Sequence, residues 1–254
     1  MNQEKIPKII HYCWFGNGGK NKKIQKCINS WKIHMPDFEI IEWNESNFDV
    51  NKLEYTKEAY NMKKYAFVSD VARIEALYKY GGIYFDTDVE VFKSFDDILY
   101  KRCVLGFEEE EYVATSMMAC EPNHPLIKKF LELYNNERFV DENGHIIQGT
   151  NVSKLTSLLM DKGLNRQNIY QEIEDGICVY PKEYFSPYVY PYGVYQITEN
   201  SYCVHHFCVS WQSKSVILKR NIKKLIVKVI GLQATENMRN KVFGYIKGDK
   251  NVQS

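Results

Sequence analysis

Tyr80-Gly81-Gly82-Ile83-Tyr84-Phe85-Asp86-Thr87-Asp88-Val89 decides how this chain is read. A diglycine opens an apolar run, and the run ends in two carboxylates one residue apart. A strand points residues i and i+2 to the same face, so Asp86 and Asp88 are expected to converge at a strand end. Carboxylates held that close repel, and one pKa rises unless a proton or a cation intervenes. A divalent ion with oxygen ligands, Mg²⁺ or Mn²⁺, resolves the conflict and keeps positions open for water and substrate phosphates. Standing alone, so short a pair more often marks a solvated acidic strand end. The neighbouring residues carry the decision.

Immediately upstream, Val71, Ile74, Leu77 and Tyr78 recur at helical spacing. Ser69 is the expected N-cap of this helix and Gly81 stands just past its end. Asp70 and Arg73 share one helix face, where the simplest role is a local ion pair of a few tenths of a kcal/mol. Further upstream, Lys8 to Phe15 reads as a strand, closed by Gly16-Asn17-Gly18-Gly19 and followed by a helical pattern through Trp31. The glycines do not form G-x-G-x-x-G, so a dinucleotide fingerprint is not supported. A second strand is expected at 38–43, with others near 103–107, 112–119, 177–180 and 202–207. Helices are expected near 125–135 and 151–161. Alternating strands and helices predict an α/β sheet covered on both faces.

The whole chain has 254 residues, 44% of them hydrophobic, enough for one large α/β domain or a domain with an appendage. Seven cysteines form no C-x-x-C pair and are odd in number, which disfavours a disulfide framework or a zinc ribbon and fits reduced thiols. The N-terminal residues lack the apolar core and cleavage site of a signal peptide, and no apolar run approaches the roughly 20 residues that span a bilayer. A cytoplasmic location is the expectation.

Charge is distributed unevenly. Residues 211–254 carry ten Lys or Arg against two acidic residues, whereas the first 210 carry 23 basic and 30 acidic. Within this tail, Ile222, Leu225, Ile226, Val229 and Ile230 recur at helical spacing, with Lys223, Lys224 and Lys228 among them. Such a helix either lies on an anionic membrane surface or docks on its own domain with a solvated lysine face. Without interleaved aromatics or a recognition motif, nucleic acid is not an expected partner.

Ser69-Asp70-x-x-Arg73, Leu77 and Tyr80 to Asp88 together resemble the signature of the family 32 glycosyltransferases of the GT-A type. These include bacterial capsule and lipopolysaccharide enzymes and relatives of yeast mannosyltransferases, with the glucosylating bacterial toxins more distantly similar. Ile6 to Gly16 is similar to the family's opening strand, and His205-His206-Phe207-Cys208-Val209-Ser210-Trp211 to its closing element. The resemblance implies a Rossmann-like GT-A fold with a mixed central sheet, a catalytic domain over 1–211 and a basic amphipathic helical tail over 212–254. It also implies metal-dependent, retaining transfer of a hexose from a nucleoside-diphosphate sugar, a UDP-sugar favoured, to a saccharide or lipid-linked saccharide acceptor. Together with the basic tail it suggests surface-polysaccharide synthesis at the inner face of the cell membrane.

The same resemblance implies roles for residues. Trp14, otherwise a core-packing residue, stacks on the nucleotide base. Asp70 and Arg73 bind the donor sugar, with Arg73 also within reach of phosphate. Asp88 coordinates Mn²⁺ or Mg²⁺, and Asp86 joins the metal site through the ribose or a metal-bound water. Ser210 and Trp211 contact the diphosphate, and His206 completes the metal shell. Strand alternation sends His205 and His206 to opposite faces without saying which enters the site. Their C-x4-C setting fits no usual zinc pattern. Glu108 to Glu111 reads as a solvated loop or, less simply, as a group beside the acceptor.

Two other functions compete. A haloacid-dehalogenase-type phosphatase also places Asp-x-Asp on a strand, but it predicts an aspartyl nucleophile in the first strand and Thr where this chain has Glu90. A non-catalytic nucleotide-sugar-binding scaffold docked to membrane by its tail does not need both Asp86 and Asp88.

Overall fold

The computed structural model describes residues 4–108, 111–147, 149–189, 192–207, 214–235 and 237–238. In chain order the elements are β1 (Ile9–Cys13), α1 (Lys22–His34), β2 (Glu39–Trp43), α2 (Glu54–Asn61), α3 (Tyr65–Tyr80), β3 (Gly82–Phe85), β4 (Val89–Val91), β5 (Cys103–Gly106) and β6 (Met117–Cys120). There follow α4 (Pro125–Glu132), α5 (Asn151–Met160), β7 (Gln171–Ile173), β8 (Ile177–Tyr180), α6 (Lys182–Phe185), β9 (Tyr188–Val189), β10 (Val194–Tyr195), β11 (Cys203–His205) and α7 (Lys214–Ile230). Their contacts divide the chain into two compact units, Met1–Pro187 with Ile197–Phe207, and Tyr188–Gln196 with Cys208–Ser254. The expected boundary at 211 lies outside the described residues.

The first unit is built on a mixed seven-stranded sheet of order β2-β1-β3-β6-β5-β8-β7. β2, β1 and β3 run parallel, β6 runs antiparallel to both β3 and β5, β8 is parallel to β5, and β7 closes the edge antiparallel. This is the α/β sheet that the alternating pattern predicted, with the mixed strand directions that the family resemblance implied. Residues along β3 alternate between two cores: Tyr84 packs with Val71, Ile74 and Leu77 of α3, while Ile83 and Phe85 pack with Ile28 and Trp31 of α1. Both faces of the sheet are therefore covered, as parallel strands require.

Local chemistry explains the elements around β3. Asn21 caps α1 by accepting from the Lys23 and Ile24 amides at 2.9 and 3.1 Å. α3 begins at Tyr65, four residues before the expected cap, and Ser69 instead returns its hydroxyl to the Tyr65 carbonyl at 3.1 Å. A serine inside a helix often bonds this way, and so it gives a false start signal. The diglycine is a steric requirement. Gly81 and Gly82 have φ of +63° and +92°, and a Cβ on Gly82 would sit 2.5 Å from the Ile9 carbonyl oxygen. The expected strand over 112–119 is confined to Met117–Cys120. α2 went unpredicted because it is short and Leu53, at its N-cap, provides no capping side chain.

His11 ties three of these elements together. Its Nε2 donates to the Gly81 carbonyl at 2.8 Å, and its Nδ1 accepts from Trp43 Nε1 at 3.1 Å. Those partners require a neutral ring, and burial pushes its pKa down to about 4, against the carbonyl's opposing pull.

The second unit contains the antiparallel β9–β10 pair and α7, which extends from Lys214 to Ile230. No helix among the described residues is long and apolar enough to cross a membrane.

Candidate active site

The site lies at the carboxyl ends of β1 and β3. Asp86 donates its amide to the Ser116 carbonyl at 2.8 Å, and the Val89 amide closes back on the Asp86 carbonyl at 3.0 Å. Asp86-Thr87-Asp88 is thus a turn joining β3 to β4 rather than a strand end. A turn, and not strand alternation, brings the two carboxylates near one another: each contacts a different cation, while Asp86 still senses the charges of Asp88 and His205.

Asp86 belongs to a cluster organised by Arg73, which is only 5% exposed. Arg73 Nη2 lies 3.1 Å from Asp70 Oδ1 and 3.2 Å from Asp86 Oδ1. Its Nη1 donates to the Thr115 carbonyl at 2.8 Å and its Nε to the Ser69 carbonyl at 3.3 Å, and the guanidinium lies 4.7 Å from the centre of the Tyr84 ring. Tyr84 also donates its hydroxyl to Asp86 Oδ1 at 2.9 Å. Burial pushes Asp70 up to about 6 despite the opposing charge of Arg73. Burial raises Asp86 as well, again against Arg73. Asn151, at the start of α5, donates to the Asp70 carbonyl at 3.3 Å and accepts from Tyr134.

Asp88 belongs to a second cluster. His205 Nε2 lies 3.2 Å from Asp88 Oδ1, and its Nδ1 lies 3.2 Å from Glu108 Oε1. Burial alone would lower the pKa of this imidazole; the two flanking carboxylates outweigh it and raise it to about 10. His206 turns away, with Nε2 2.9 Å from Glu90 Oε2, and burial lowers its pKa against that partner. The geometry thus puts His205 beside Asp88, in the place the sequence reading gave to His206. The antiparallel pairing of β11 with β4 sets His205 opposite Val89, next to Asp88, and the following residue then faces the other way.

Glu108 was missed as a site residue. Its run of four glutamates looks solvated, and Glu111 is indeed exposed, paired with Arg166. Glu108 itself is 14% exposed at the side chain. Its place directly after the buried β5 and Phe107 was the available signal. Trp14, at the end of β1, donates its indole N–H to the Gly18 carbonyl at 2.6 Å, and Lys20 Nζ stands 5.3 Å from the ring centre. It lines an open cavity of about 590 Å³ with Lys20, Glu42, Asn44, Glu45 and Ser46. Ser210 and Trp211 lie outside the described residues.

Among the described residues, no three His, Cys, Asp or Glu side chains surround a common metal position. The donor chemistry nevertheless fits a divalent cation. Asp88 and His205 present a carboxylate oxygen and an imidazole nitrogen in contact, ligand types that Mn²⁺ accepts. Across the two clusters, Asp70, Asp86, Asp88 and Glu108 face Arg73 and His205, and an imidazole that ligates a cation does so in its neutral form.

Residues 21–105 match the family model described as a glycosyltransferase sugar-binding region containing a DXD motif. Over that third of the chain the sequence is similar to a DXD-motif glycosyltransferase region. Asp86-Thr87-Asp88 supplies the motif within the matched span. The chain is 29% identical over 133 residues to inositol phosphoceramide mannosyltransferase 3 of Schizosaccharomyces pombe, covering 48% of this chain and 35% of that protein. Inositol phosphoceramide mannosyltransferase 1 of the same organism is 28% identical over 152 residues, 54% of this chain and 44% of the relative. The chain thus spans less than half the length of these curated relatives. Among solved structures, the PaToxG glycosyltransferase aligns with a TM-score of 0.48 at 24% identity, covering 62% of this chain and 69% of that one. The galactosyltransferase LgtC aligns with a TM-score of 0.45 at 12% identity, over 87% and 95%.

Proposed function

We propose that this chain is a glycosyltransferase that moves a hexose from a nucleoside-diphosphate sugar to a saccharide or glycolipid acceptor, with Mn²⁺ or Mg²⁺ and with retention of configuration. The observation that carries the reading is the clustering of Asp70 and Asp86 on Arg73 and of Asp88 on His205 just past the carboxyl end of β3. α/β folds take up ligands in the crevice at the carboxyl ends of parallel strands, and a cavity of about 590 Å³ is in the range of small-molecule sites.

In this reading the indole of Trp14 stacks on the base. Asp88 and His205 hold the cation, and Glu108 on the opposite ring nitrogen sets the tilt of the imidazole, as outer partners of metal-binding histidines do. Arg73 orients Asp70 and Asp86, Asp70 accepts a hydroxyl of the donor sugar, and Asp86 holds the ribose or a metal-bound water. When bound, the cation supplies positive charge where the departing diphosphate gains negative charge. Ser210 and Trp211 are assigned to the diphosphate on family resemblance alone. Retention with attack from the leaving-group side lets the phosphate take the acceptor proton, so no separate protein base is required.

Residues 1–211 form the catalytic part in this proposal and 212–254 the tail. A UDP-sugar is the favoured donor. The names of the two curated relatives support including a mannosyl donor and an inositol-phosphate glycolipid acceptor in the first assays, and resemblance supports a role in capsule or lipopolysaccharide synthesis. The test is incubation with a panel of nucleotide sugars and Mn²⁺, measuring free nucleotide with and without acceptor. Turnover lost in Asp88→Ala supports the reading; binding of a donor with no turnover on any acceptor favours a nucleotide-sugar-binding protein instead.

A further inference from the structure

Five apolar residues in the second half of α7 are exposed. Ile222, Leu225, Ile226, Val229 and Ile230 are 52%, 62%, 43%, 75% and 42% exposed. At 100° per residue they fall within an arc of about 140°, a single continuous face. Lys223 and Lys228 flank that arc and Lys224 lies behind it, all three exposed. Within its own compact unit the described residues leave this stripe open. Scattered apolar side chains on a surface need no explanation, but a contiguous face does.

Charge selects the occupant. The tail from 211 onward holds ten basic and two acidic residues. A second copy of α7 would bring like charges together. Nucleic acid would engage the lysines but offer nothing to five aliphatic side chains. An anionic bilayer satisfies both, because the apolar face enters the acyl boundary while flanking lysines stay at the headgroups. We propose that α7 is an interfacial helix that holds this chain on anionic lipid. It lies in the surface without spanning it, since α7 does not meet the length and hydropathy of a membrane span.

The proposal stands on α7 alone, and its test contains no nucleotide sugar, so its failure leaves the transferase reading untouched. The full chain is floated with vesicles of phosphatidylcholine mixed with phosphatidylglycerol, and with phosphatidylcholine alone. Binding is expected to the anionic vesicles and to weaken with salt. Because each lysine near such a surface contributes roughly fivefold, joint Lys223→Gln, Lys224→Gln and Lys228→Gln substitution is expected to weaken binding on the order of 100-fold. Leu225→Asn with Val229→Asn is expected to abolish it, with the thermal unfolding of the chain unchanged because both residues are exposed. The proposal is overturned if the full chain does not float, if it binds both vesicle types equally, or if either variant binds like the parent. Loss of self-association in the Leu225/Val229 variant with vesicle binding intact would assign the face to a second copy instead.

Discussion

Replacing Arg73 with Gln removes the cation shared by Asp70 and Asp86, with side chains 3.1 and 3.2 Å from it, and leaves two buried carboxylates with no guanidinium between them. Breaking a buried pair on one side costs about 3–5 kcal/mol, which for a chain of this size lowers Tm on the order of 10 °C. The size of the loss depends on pH, and its sign follows from Asp70. Burial already raises that carboxyl to about 6 with Arg73 opposing, so without Arg73 it rises further. A carboxyl raised in the folded state contributes stability at low pH that is lost as pH rises from its unfolded value through its folded one. In Arg73→Gln that window extends upward, so the destabilisation is largest near pH 8 and shrinks toward pH 5, where Asp70 takes a proton. Urea unfolding of parent and variant at about pH 5 and about pH 8 measures it. Adding Asp70→Asn to Arg73→Gln should recover part of the loss at the higher pH. A penalty below about 1 kcal/mol, the value of an exposed pair, or one that does not change with pH, would refute the reasoning.

Other outcomes follow from the same geometry. His11, held neutral between Gly81 and Trp43 with its pKa lowered to about 4, contributes stability that is full above pH 6.5 and lost as pH falls toward 4. His11→Phe should therefore be less stable at neutral pH yet lack on the order of 3 kcal/mol of the parent's acid-induced loss, as read from unfolding curves across that range. Mn²⁺ affinity, measured by paramagnetic resonance without substrate, should fall in His205→Ala and by about 10- to 100-fold in Glu108→Gln, but should survive in His206→Ala; the reverse order of the two histidines would contradict the site. Trp14→Ala should weaken binding of the released nucleotide by roughly 1–3 kcal/mol if the base stacks there, and titration calorimetry that finds no change removes Trp14 from the donor pocket.

Much of the site was legible because it rests on short-range rules. Helical spacing puts Asp70 and Arg73 on one face of α3, and in the structure they are an ion pair. The diglycine predicts the end of that helix, since only residues without Cβ fit the positive φ and the contact with Ile9. Alternation predicts that His205 and His206 part company, which they do. These are consequences of backbone sterics over a few residues, and the residues that cause them are adjacent in the chain.

What the sequence left open depends on registers between distant segments. Whether His205 or His206 meets Asp88 depends on how β11 pairs with β4, more than a hundred residues earlier. Glu108 reaches His205 across 97 residues, and although its place after β5 signals burial, nothing in the run of glutamates says which partner it will meet. Asp86 and Asp88 look equivalent in Asp-Thr-Asp, yet the turn that follows β3 sends one to Arg73 and the other to His205. By itself the sequence determined that acidic and basic groups would collect behind the diglycine strand. The tertiary structure decided which carboxylate meets which cation, because electrostatic partners are chosen by distance in space, and that distance exists only once the strands have paired.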